Sequence, residues 1–193
     1  MGNTAADFPQ DLQMTREEFR RWVETQPRGR FERIDGKVVA MAPERGAHLR
    51  IKRDILLALL RGIAAAGLPC EALPDGATVE VEDGNDYEPD AVVTCGERMA
   101  AEATVAPNPI SVVEVLSPST QGGDLTRKLI GYFKVPSVQH YLILFAERPQ
   151  VIHHRRRDDG DGIETRMLVA GEIRLDPPGI TITVEEIYQS APH

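Results

Sequence analysis

Pro89-Asp90 leads into Ala91-Val92-Val93, and Glu114 lies inside the apolar run Ile110-Ser111-Val112-Val113-Glu114-Val115-Leu116. A carboxylate among β-branched residues is costly to bury unless a cation or a donor meets it. A divalent metal held by Asp90 and Glu114 would meet that need. Downstream, Asp124, Lys128 and Tyr132 recur at i, i+4 and i+8, one face of a helix. Two strand-borne acids with a lysine nearby are the parts required for metal-dependent phosphodiester hydrolysis. An ion lowers the pKa of its water and offsets phosphate charge, and a lysine stabilises the charge that develops.

Each residue has a plainer reading. Asp90 opens a strand, where an Asp often serves a turn. Strand alternation places Val113 and Val115 on one face and Val112, Glu114 and Leu116 on the other. Glu114 therefore shares its face with apolar residues, which points to a pocket, a metal or a buried ion pair with a Lys or Arg of the next helix. Glu32 keeps similar apolar company with Ile34 if its strand alternates. His48, opening a helix, is a general base or an exposed first-turn residue. His153-His154-Arg155-Arg156-Arg157 either touches phosphate or is a solvated hairpin end, and the latter is preferred. No zinc spacing, Walker loop, GxGxxG or GxSxG elbow is present.

The elements that must position these residues read as one α/β domain over 15–193 behind a loose tail of residues 1–14. Thr15-Arg16-Glu17-Glu18 forms a capping box ahead of a short helix bearing Phe19, Trp22 and Val23. Phe31 to Met41 is a hairpin turned at Asp35-Gly36. Glu44 to Gly67 is a long amphipathic helix with Leu49, Ile55, Leu56, Leu59, Leu60 and Ile63 inward and its bases outward. Short strands follow near 70–73 and 78–81. Central strands cover 91–94 and 110–116, with a loop over 96–109 between them. A helix covers about 124–133, a strand 138–145, a hairpin 151–155 with 163–169, and a short helix 184–188. The expected architecture is a mixed sheet flanked by helices.

The 193 residues suffice for one sizeable core, and 41% hydrophobic with 27% charged residues is ordinary for a globular chain. No apolar run is long enough to span a membrane, and the N-terminus lacks a secretory pattern. Cys70 and Cys95, without a CxxC spacing, read as reduced and partly buried rather than disulfide-bonded. A cytoplasmic location is expected. The net charge of −8 argues against nucleic acid, but it is segregated. Ten acids face one base from 71 to 104, twelve bases face seven acids from 16 to 61, and seven bases face two acids from 120 to 157. A basic surface beside an acidic pocket is one reading of that pattern.

The order Phe31-Glu32-Arg33-Ile34-Asp35-Gly36, a helix with His48, Glu88-Pro89-Asp90-Ala91-Val92-Val93, Val112-Val113-Glu114-Val115-Leu116-Ser117-Pro118-Ser119-Thr120, then Asp124, Lys128 and Tyr132 resembles the Uma-two family. That family is a bacterial group of restriction-endonuclease-like proteins within the PD-(D/E)xK superfamily. The resemblance runs from about Thr15 to about Phe145, and Glu114 to Thr120 is its most specific stretch. It implies a restriction-endonuclease-like fold and a metal site at Asp90 and Glu114. The metal would be magnesium, with manganese as a substitute, and the Val115 carbonyl could complete the ligands. Leu116 stands where the superfamily commonly has lysine, so the catalytic lysine falls to Lys128, whose long stem can reach a strand-end pocket. Glu32 matches an N-terminal acid that joins the site, with His48, Asp124 and Tyr132 as accessory candidates. DNA is the implied substrate, acted on by a homodimer. The alternatives are a catalytically silent binding or regulatory protein of the same fold, or a structural domain in which Lys128 neutralises Glu114.

Overall fold

The computed structural model describes residues 13–82, 84–116, 124–160 and 162–190. In chain order the elements are α1 (Arg16–Glu24), β1 (Phe31–Ile34), β2 (Lys37–Ala40), α2 (Gly46–Ala66), β3 (Cys70–Pro74), β4 (Val79–Glu80), β5 (Asp86–Tyr87), β6 (Ala91–Cys95), β7 (Pro109–Leu116), α3 (Asp124–Lys134), β8 (His140–Phe145), β9 (Val151–Arg156), β10 (Ile163–Leu168), β11 (Glu172–Leu175), β12 (Ile180–Thr183) and α4 (Val184–Ile187).

Local chemistry starts and stops the elements as expected. Thr15 and Glu18 exchange the two hydrogen bonds of a capping box at α1. Asp35 and Gly36 both take positive φ, 51° and 78°, as the two-residue turn between β1 and β2 requires. Gly67 ends α2 in the left-handed conformation. Gln13 bridges Lys37 and the Met14 amide donates to the Gly36 carbonyl (2.8 Å), so the last two residues of the expected tail are fixed on the hairpin.

A six-stranded mixed sheet, ordered β10-β9-β8-β7-β6-β3, forms the centre. Its parallel pair, β7 with β8, is joined through α3 as a βαβ crossover. The hairpin β1–β2 is not part of it but belongs to a four-stranded sheet ordered β2-β1-β5-β4. Alternation along β7 decides what each face buries. Val113 and Val115 join Ile51, Ile55 and Leu59 of α2 in one core, whereas Val112 and Leu116 join Tyr87, Tyr132 and Tyr141 in another.

Two expectations fail. The inward stripe of α2 is rotated, so Leu49 and Leu60 are exposed while His48, Lys52 and Asp54 are buried. The reason is tertiary: buried Asp90 and half-buried Glu44 and Asp75 lie against Lys52 on that side. The cysteines are also not free. β3 pairs antiparallel with β6 in a register that sets Cys70 opposite Cys95, and the two are disulfide-bonded. Spacing alone carries no register, which is why the pair read as reduced. Reduced thiols thus no longer support a cytoplasmic location. No described helix is long and apolar enough to cross a membrane. The bridge spans a sequence separation of 25 residues, and closing a loop of that size stabilises by about 3 kcal/mol. Urea unfolding with and without dithiothreitol, or of Cys95→Ser, is expected to show that loss. Identical midpoints would mean the sulfurs are unbonded in solution.

Candidate active site

Asp90 closes the β6–β7 ladder. Its amide donates to the Val113 carbonyl (2.9 Å), and its Oδ2 accepts from the Val115 amide (2.7 Å). The side chain thus takes the place of the next strand residue and is pinned at the end of the sheet. Glu114, next on β7, projects to the α3 side, where Lys128 and Tyr132, one helical turn apart, reach it. The Tyr132 hydroxyl donates to Glu114 Oε1 (2.7 Å), and Lys128 Nζ donates to Glu114 Oε1 and Glu32 Oε1, both at 2.9 Å. Glu32 arrives from β1, and its Oε1 also accepts from the Glu88 amide (2.9 Å). Tyr87 packs its ring 5.6 Å from Lys128 Nζ and edge-on to Tyr132. The helix carries Gly131 there because a Cβ would lie 2.7 Å from the Tyr87 ring.

On the other flank of Asp90 stands α2. Lys52 Nζ lies 3.0 Å from Asp90 Oδ1, 2.8 Å from Glu44 and 2.9 Å from Asp75. His48 is not an exposed first-turn residue. It is 8% exposed, its Nε2 is 3.5 Å from Asp90 Oδ2, and that nitrogen is buried without a hydrogen-bond partner among the described residues. Glu44, His48 and Asp90 offer ligand atoms that all lie within 4.8 Å of one another. Arg30 links Glu44 (2.8 Å), Glu88 (2.6 Å) and Asp75 behind them. Glu32, His48, Asp90, Glu114, Val115 and Lys128 all line one cavity of about 290 Å³. A larger groove of about 780 Å³, on the far side of α3 beside Asp35 and Glu82, touches none of them.

The protonation states follow from the surroundings. Burial pushes Asp90 up, but His48, Lys52 and the Val115 amide outweigh it and hold the carboxyl below its ordinary range. Glu114 goes the other way: burial, with the nearby Asp90 and Glu32 charges, raises it to about 7 against the pull of Lys128 and Tyr132. Burial opposes the Lys128 ammonium, but Glu114 and Glu32 outweigh it and keep the ammonium charged well above its usual range. One lysine thus faces two carboxylates.

The structure therefore gathers Asp90, Glu114, Lys128, Glu32, His48, Val115 and Tyr132. Asp124 opens α3, but its side chain and Ser117–Thr120 lie outside the described residues. Lys52, Glu44 and Arg30 are additions that the sequence reading missed. The available signal was the segregated charge. Arg16 and Arg33 meet Asp86 (2.7 and 2.5 Å), Arg30 meets Glu88 and Lys52 meets Asp90, so bases of 16–61 neutralise acids of 71–104 across the fold. That pairing replaces the expected separate basic surface and acidic pocket. The His153-His154 stretch is likewise no solvated hairpin end. Both rings are buried in β9, where burial lowers His153 to about 3, and His153 Nε2 lies 2.9 Å from His140 Nδ1.

Comparison with known proteins bears on the family and the fold. A curated protein of Synechocystis sp., called "Uncharacterized protein slr1290", is 29% identical over 186 residues, 96% of this chain and 95% of that protein. The crystal structure of a "putative nuclease belonging to DUF820" from Anabaena variabilis superposes with a TM-score of 0.71. It covers 91% of this chain and 98% of its own at 15% identity, a likeness of fold. The Uma2 family model matches residues 16–185, so the chain belongs to the Uma2 family, described as "Putative restriction endonuclease".

Proposed function

We propose that this chain is a divalent-metal-dependent endonuclease that hydrolyses DNA phosphodiester bonds, with Asp90, Glu114, Lys128 and Glu32 as its catalytic groups. The observation that carries the reading is the convergence of three acids on one cavity, from β1, from the residue that precedes β6 and from β7, with a buried lysine from α3. The donor set fits a metal. Asp90 is ionised, the His48 nitrogen is buried 3.5 Å from it, and Glu44 and Glu114 line the same cavity. A strand residue presents its N–H and C=O along the same edge, so the Val115 carbonyl faces the Asp90 side with the amide that holds Asp90. Magnesium suits the carboxylate and carbonyl oxygens, and the imidazole also favours manganese. A bound ion would supply charge neutralisation and a water of lowered pKa.

The protein's own groups do the rest. Lys128 has three N–H donors. Two hold Glu114 and Glu32, and the third is available to a phosphoryl oxygen in the cavity. Lys128 thereby fills the role left vacant by Leu116. Tyr132 fixes the Glu114 oxygen that Lys128 uses. Arg45 at the cavity rim is a further contact for the DNA backbone.

One observation favours the silent relative: Lys52 Nζ already serves as a cation for Asp90 and Glu44. Two measurements separate the readings. Magnesium or manganese at a hundred times its Kd adds about 2.7 kcal/mol of stability, a rise of roughly 5–10 °C in a chain of this size. Supercoiled plasmid should be nicked only with the ion, and Asp90→Ala should lose both responses. An equal thermal shift in Asp90→Ala would end the metal-site reading. Metal binding without nicking would establish the silent relative.

A further inference from the structure

We propose that β10 is a self-complementary edge through which two copies of this chain join their central sheets about a two-fold axis. β10 ends the six-stranded sheet, and five of its six residues are exposed, Met167 at 67%. Natural sheets guard such an edge with brevity, proline, bulges or inward charge. This strand has six residues, no proline and a regular register with β9 from Ile163 opposite Arg156 to Leu168 opposite Val151.

The backbone fixes which residues can pair outward. The Arg156 amide donates to the Gln139 carbonyl (2.8 Å), so the polar backbone groups of Arg156 face β8 and those of Arg155 face β10. Arg155 is opposite Glu164. The backbone groups of Glu164 and Arg166 are thus satisfied by β9, and those of Ile163, Thr165 and Met167 point away from the sheet. The Arg157 amide donating to the Gly162 carbonyl (3.1 Å) gives the same parity from the hairpin end. Two outward sets can meet antiparallel only if the two-fold passes through a residue of β10 and not between two residues.

Charge then selects among these registers. Centred on Thr165, the pairing sets Glu164 against Arg166 of the second copy twice, at closely spaced positions where cross-strand pairs interact most. On the other face it sets Ile163 against Met167 twice. Centred on Glu164 or on Arg166, that residue would face its own like charge; centred on Ile163, Glu164 would face Gly162, and centred on Met167, Arg166 would face Leu168. Within one chain neither Glu164 nor Arg166 has an ion-pair partner among the described residues, whereas the neighbouring Arg155 and Arg174 donate to Asp158 (2.6 Å) and Asp176 (3.3 Å). Two unpaired opposite charges at i and i+2 are what a two-fold through the residue between them satisfies. The occupant of this edge is therefore a second copy, and the product is one twelve-stranded sheet.

Sedimentation equilibrium tests this without reference to catalysis. The wild type is expected at twice its 21.3 kDa chain mass. Glu164→Arg and Arg166→Glu, each creating two like-charge pairs, should weaken association about tenfold. The double swap Glu164→Arg with Arg166→Glu should restore it, and at concentrations where all are monomeric the three variants should keep the wild-type thermal midpoint. A wild type that stays monomeric at its highest soluble concentration overturns the proposal. So does a dimer indifferent to the single swaps, or a double swap as weak as either single.

Discussion

Lys128→Met is expected to cost more than any other single change in this protein. Lys128 is the ammonium shared by two buried carboxylates, and removing one partner of such a pair leaves charge uncompensated at about 3–5 kcal/mol. For a chain of this length that lowers the thermal midpoint by roughly 6–20 °C. Nicking of plasmid should fall about 10²–10³-fold as well, the usual loss when one charge-stabilising donor is removed. The two effects are separable. Adding Glu32→Gln and Glu114→Gln to Lys128→Met removes the stranded charges, so most of the stability should return while activity stays absent. If the triple variant unfolds as early as Lys128→Met, the penalty comes from lost packing against Tyr87 and Tyr132, and the electrostatic account fails.

Glu114 should give the protein a pH dependence of unusual sign for a carboxylate. Its folded pKa of about 7 lies above the ordinary 4.5 because burial and the Asp90 and Glu32 charges disfavour ionisation. A raised carboxyl contributes stability that is complete below the unfolded pKa and is lost as pH rises through the folded one. The window is therefore about pH 4.5 to 7, and the change across it is about 3 kcal/mol. Lys128 does not blur this window, because its own shift lies above its ordinary value, at alkaline pH. Denaturant unfolding of wild type and Glu114→Gln between pH 4 and pH 8 should show the wild type losing ground to the variant as pH rises. A constant difference would mean that Glu114 is ionised throughout.

Local chemistry carried the reading of the elements. The Thr15 capping box, the Asp35-Gly36 turn and the end of α2 at Gly67 each depend on a few adjacent residues. The alternation of β7 was equally legible, because Glu114 interrupts an apolar run whose two faces have different partners. Lys128 and Tyr132 could be grouped by their helical spacing, and the family resemblance is what set Lys128 beside Glu114. His48 and Lys52 were not legible. Their burial depends on which side of α2 meets Asp90, Glu44 and Asp75, and no property of the helix alone specifies that. The Cys70–Cys95 bond was hidden for the same reason, since the β3–β6 register is set by sheet pairing. Segregated charge was visible but misread, because its meaning lay in pairs tens of positions apart, such as Arg33 with Asp86 and Arg30 with Glu88.

The Asp90 carboxylate ends the β6–β7 ladder by accepting from the Val115 amide, a bond that an asparagine oxygen could make equally well. Asp90→Asn therefore keeps the last rung but turns an Nδ2 donor toward the Lys52 ammonium, which Glu44 and Asp75 are left to balance. Lys128 has no such neutral stand-in while Glu32 and Glu114 persist. Within this architecture, retention of the lysine records the persistence of two acids, whereas the residue at position 90 records whether selection still maintains the chemistry.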